Sequence, residues 1–156
     1  MEPSAALITF TKDAARTGAA ISGSIFELLS ASQHSPKEVY EVAKAVADLS
    51  VALEDLGGEW RGIGGPEAKM KRELERQATS ALECIATLHG DIRALIDPGN
   101  AAARLLWAFR RTRWCALLWQ ADYYKAGIRL IMTTVALAFR LSCAAEYVLL
   151  LLLHSL

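Results

Sequence analysis

LLWAFRRTRWCALLWQADYYKAGIRLIMTTVALAF, Leu105 to Phe139, is the stretch whose reading decides the fold. Three tryptophans (Trp107, Trp114, Trp119) stand among three arginines (Arg110, Arg111, Arg113), and an apolar continuation follows. Indole rings with a polar edge, cations on long stems and apolar residues suit a helix lying at a membrane interface. They also suit a bundle helix whose arginines reach over a core. The spacing favours the bundle. Leu117, Ala121, Tyr124, Ile128, Ile131, Val135 and Ala138 recur at steps of three and four, which draws one stripe for neighbouring helices. The start of the stretch remains a candidate lipid-facing corner, formed by Trp107, Arg110, Arg111, Arg113 and Trp114.

Upstream, Asp97-Pro98-Gly99-Asn100 is a strong break, with Asn100 placed to cap the last helical segment. Before it, a segment opened by Pro66 begins with charged residues and settles into Leu74, Ala78, Ala81, Ile85, Leu88, Ile92 and Leu95. Earlier still, Ser35-Pro36-Lys37-Glu38 reads as a capping box with proline at the first helical position. Val39, Val42, Val46, Leu49, Leu53 and Leu56 then keep a heptad, which implies nearly parallel packing of helix axes. Five glycines between Gly57 and Gly65 read as a flexible loop that stops this helix. No strand precedes them and no Gly-Lys-Ser/Thr follows, so they are no phosphate loop.

The first helix is expected from about Ser4 to Ser30. Leu7, Thr11, Ala14, Gly18, Ile21, Ile25 and Leu28 draw its stripe, while Ala15, Ala19 and Gly23, and also Gly18 and Ser22, make small-residue rows. Such rows let helices approach closely, in lipid or in a soluble bundle. Gly18 and Gly23 each weaken a helix by roughly 1 kcal/mol relative to alanine. A weak helix with few charges between Thr17 and Phe26 is what a movable segment requires. The candidate membrane or interaction residues here are Leu7, Phe10, Gly18, Ile21, Gly23, Ile25 and Phe26.

Four long segments with short links describe an all-α antiparallel bundle, with a fifth helix if the last segment breaks near Arg113. The bundle covers residues 1–139. Residues 140–156 form an apolar extension that can continue the last helix but whose run from Tyr147 to Leu153 is too short to span a bilayer alone. The formal net charge is zero, yet residues 1–99 carry 10 basic and 15 acidic residues and residues 100–156 carry 7 and 2. An acidic part facing a basic part within one molecule accounts for this split; anionic lipid is the alternative partner. Cys84, Cys115 and Cys143 lie far apart, with no CxxC, which fits buried thiols in a reducing compartment.

Catalysis is not expected. His34, His89 and His154 share no register, no cysteine or serine has a positioned base, and no metal-ligand spacing occurs. No cofactor or small-molecule substrate is therefore expected. The arginine cluster is too short, in a neutral chain, for nucleic-acid binding.

Four pieces in order resemble a known family: Met1-Glu2-Pro3 before a small-residue helix, Ser35-Pro36-Lys37-Glu38 leading to Leu49-Ser50-Val51-Ala52-Leu53-Glu54-Asp55-Leu56, a helix bearing Cys84, and Leu106-Trp107-Ala108-Phe109-Arg110-Arg111. Together they resemble the fungal N-terminal HeLo-like domain, the type found at the N-terminus of fungal NLR-like proteins and of the azaphilone pigment cluster protein L. The resemblance covers roughly residues 1–139. It implies a helical bundle associated with membrane targeting and programmed cell death, whose N-terminal helix, here Ala5 to Leu29, becomes exposed and inserts. Within these 156 residues no nucleotide-binding or repeat region follows, so the chain is either a stand-alone copy or one part of a longer protein, and the segment after Phe139 matches nothing in the family. The expectation is a non-enzymatic, cytoplasmic signalling or effector bundle meeting anionic lipids. The alternative is an interaction module binding a helical partner or a second copy.

Overall fold

The computed structural model describes residues 5–30, 37–62, 68–96 and 107–154, and all of them are helical. The four helices are α1 (Ala5–Ser30), α2 (Lys37–Gly62), α3 (Ala68–Ile96) and α4 (Trp107–His154). The proposed caps at Ser35 and Asn100, the start at Pro66 and the break at Asp97–Asn100 lie outside the described residues. Within the described residues α4 is continuous through Arg113, so the bundle has four helices and not five.

Side-chain pairings give the topology. Ser22 Oγ of α1 donates to the Ala43 carbonyl of α2 at 2.9 Å, and Gly18 lies against Ser50. Residue numbers rise on one helix as they fall on the other, so α1 and α2 are antiparallel. Arg111 meets Glu38 and Lys125 meets Asp48, so α4 runs parallel to α2. Arg113 meets Asp91 and Tyr124 meets Cys84, so α4 runs antiparallel to α3. Each helix packs closely on two neighbours in the cyclic order α1, α2, α4, α3, leaving α1 diagonal to α4 and α2 diagonal to α3.

The core is the set of stripes turned inward. Leu7, Thr11, Ala14, Gly18, Ile21 and Ile25 are buried on α1; Leu28, expected to continue the line, is exposed. The Gly18/Ser22 row is buried and lets α1 approach α2. In the other row Ala15 is buried but Ala19 and Gly23 are exposed. On α2 the whole heptad from Val39 to Leu56 is buried.

That heptad does not end at Gly57. α2 continues to Gly62, correcting the expected loop from Gly57, and the indole of Trp60 is fully buried. Trp60 is the next step of three and four after Leu53 and Leu56. Burying so large a ring outweighs the roughly 1 kcal/mol that each of Gly57 and Gly58 costs within a helix. On α3 the expected stripe is present, widened by Leu82 and by His89.

α4 is the long element: 48 residues, or about 72 Å at 1.5 Å per residue. Trp114, Leu117, Ala121, Ile128, Ile131 and Val135 are buried against α2 and α3, and Tyr124 and Ala138 are half-buried. Beyond Val135 none of the described residues is buried, so the helix runs on past its core contacts. The 140–156 extension therefore shares one helix with residues 107–139 as far as His154.

Candidate interaction site

The N-terminal candidates do not form an open membrane-binding face. Leu7, Gly18, Ile21 and Ile25 are buried, Phe10 is half-buried against the core, and only Gly23 and the edge of Phe26 reach solvent. The Phe26 ring makes an edge-to-face contact with Tyr40 of α2, centroids 5.7 Å apart. α1 is a wall of the bundle, and insertion requires its prior release.

The described residues of the Trp/Arg corner likewise meet partners within the molecule. Trp114 is buried in the core. Arg111 and Arg113 are exposed but face acidic partners: Arg111 Nε lies 2.7 Å from Glu38 Oε1 and Arg113 Nη2 lies 3.7 Å from Asp91 Oδ1. The side chains of Trp107 and Arg110 lie outside the described residues. The Glu38 carboxyl is held below its ordinary range by its own backbone N–H in the first turn of α2 and by Arg111. Lys125, mostly covered, meets both Asp48 at 3.6 Å and Asp122 at 2.7 Å. The basic helix thus meets the acidic helices within one molecule, as the charge split suggested.

The face that is left open lies elsewhere. Trp119, Tyr123, Leu130, Leu137 and Leu141 of α4 are 78%, 75%, 68%, 57% and 63% exposed. At about 100° per residue these five fall within roughly 40° of one another, on the side of the cylinder opposite the core-facing line. Ala126 and Thr133, also exposed, fill the same line, and no charged residue interrupts it between Thr112 and Leu137. α4 thus has two apolar lines, one buried and one bare. The Tyr123 ring is steadied by Tyr124, whose ring meets it edge to face at 5.6 Å. Gly127 beside the line has open space where a Cβ would stand. The sequence reading missed this face because one stripe already accounted for the helix. The outer residues repeat at 4, 7, 7 and 4, a spacing that was there to be found.

A second polar feature is internal. Gly18, Ser50 and His89 bring α1, α2 and α3 together at one point of the core. Ser50 Oγ donates to the Val46 carbonyl at 2.8 Å, and His89 Nε2 is buried without a hydrogen-bond partner. Burial, reinforced by the nearby Arg93 cation, lowers the His89 pKa to about 4. Among the described residues no group of His, Cys, Asp and Glu could hold a metal ion. No helix among them is long and apolar enough to cross a membrane.

Comparisons of the chain with protein-family models, with curated proteins and with solved structures return no match.

Proposed function

We propose that this protein is a non-enzymatic helical interaction module that docks another helix along the outer face of α4. The observation that carries the reading is the bare line through Trp119, Tyr123, Leu130 and Leu137 on a helix whose opposite side is already packed. An uncovered apolar surface of this length is costly in water and marks a binding surface. Its shape fits a helix and not a bilayer. A helix lying on a membrane needs a broad apolar face flanked by cations, whereas a single narrow line with three-four spacing is a coiled-coil seam.

The test is a photoreactive phenylalanine analogue at Tyr123 of the full chain, irradiated in the cells that make it. A protein adduct mapped to a helical segment and lost on Leu130→Glu supports the reading. A lipid adduct, or none, overturns it.

A second reading keeps the HeLo-type action, with α1 leaving the bundle to enter anionic membranes. Its support is the weakness of α1: few charges, internal glycine, and a buried small-residue row at Gly18 and Ser22. Because Ser22 lies beside Ala43, a Ser22→Cys/Ala43→Cys crosslink ties α1 to α2. Leakage of anionic vesicles that stops under crosslinking and returns on reduction supports release. Leakage that persists with the crosslink formed excludes it.

A further inference from the structure

The geometry points to a second copy of this chain, antiparallel to the first, as the helix that covers the outer line of α4. This rests on the docking face proposed above and names its occupant. The line alternates large and small in a way that complements its own reverse. Pairing residues whose numbers sum to 249 sets Trp119 against Leu130 of the second copy, Tyr123 against Ala126 and Ala116 against Thr133. The rings of Trp119 and Tyr123 then meet Leu130 and Ala126 and never each other, and the three-four spacing of the line is the one that lets facing helices interlock as knobs into holes.

Charge agrees with the same register. Asp122 and Arg129 flank the line on one edge, seven residues apart. In an antiparallel pair this edge meets itself, so Asp122 of one copy faces Arg129 of the other, twice around the two-fold axis. A parallel pair sets neither residue opposite a charge, because the facing edge carries Gln120, Gly127 and Thr134. That edge is small, and the open space at Gly127 lets the helix axes come close. The seam from Thr112 to Leu137 is about 38 Å long. Because it lies opposite the buried face, the two bundles stand on opposite sides of the helix pair and do not collide. The interface is isologous, as closed dimers require.

Sedimentation equilibrium of the full chain tests this. The wild-type chain is expected to be a dimer at tens of micromolar. Leu130→Glu is expected to leave a monomer with unchanged helicity by circular dichroism, since the position is exposed. Asp122→Arg alone and Arg129→Glu alone are each expected to weaken the dimer by about tenfold or more, and the double variant to restore it. Restoration identifies the antiparallel register, and single variants without effect overturn it. A wild-type chain that stays monomeric overturns the second copy as occupant. A Tyr123 adduct to a different protein then leaves the docking face standing; absence of any protein adduct removes both.

Discussion

Gly18 of α1 lies against the imidazole of His89 in α3: a Cβ on Gly18 would stand 3.0 Å from His89 Nε2 and overlap Ser50 Oγ of α2. Three helices meet at a position that admits no side chain. Gly18→Ala is therefore expected to destabilise the bundle by about 1–3 kcal/mol, despite the better helix propensity of alanine, because Ser50 must give up its place. Chemical denaturation measures the loss. Ser50→Ala in the same chain is expected to recover part of it, and a strictly additive double variant would show that the two residues do not compete for space.

His89 makes stability depend on pH. The fold favours the neutral imidazole, lowering its pKa from 6.5 to about 4, so the unfolded chain takes up the proton first as pH falls. The His89 contribution to pH dependence is flat above about pH 6.5, declines between pH 6.5 and 4, and flattens below. The total loss from this residue is on the order of 3 kcal/mol. Urea midpoints between pH 8 and 4 measure it, and His89→Leu is expected to remove most of the slope in that window.

Trp60 closes the bundle beyond the glycine pair of α2. Trp60→Ala is expected to cost about 3–5 kcal/mol, the range for a buried aromatic residue replaced by alanine. Trp60→Phe is expected to cost much less, since Trp60 Nε1 is buried without a hydrogen-bond partner and its removal forfeits no bond. Thermal unfolding distinguishes these from a surface tryptophan, whose replacement would shift the midpoint little.

Arg111 and Arg113 already face Glu38 and Asp91. Sedimentation with anionic vesicles is therefore expected to be the same for the wild-type chain and for an Arg111→Ala/Arg113→Ala variant. A clear drop would show that these cations meet lipid after all.

The inward lines were legible in the sequence because each repeats one period over six or seven residues: Leu7 to Ile25 on α1, Val39 to Leu56 on α2, Leu117 to Val135 on α4. The errors have local causes. At Gly57 and Gly58 the propensity of glycine pointed to a loop, and tertiary burial of Trp60 overrode it. Leu28 follows the period of α1 but is exposed, because Leu29, four residues after Ile25, takes the inward place against the core. His89 sits one place beyond the apolar stripe of α3, and nothing in its own residue type indicates that a glycine on another helix makes room for it. The break left open near Arg113 does not occur: the helix runs straight through it, and Arg113 reaches Asp91 from that helix.

The cyclic order α1, α2, α4, α3 sets α1 and α4 at opposite corners, each sharing its close contacts with the same two helices. Two events at such corners need not exclude one another. A chain gripped along α4 keeps α1 unobstructed, and a chain that sheds α1 retains α2 and α3 as the cradle of α4. The arrangement puts the proposed docking face and the proposed mobile helix on opposite corners of one bundle.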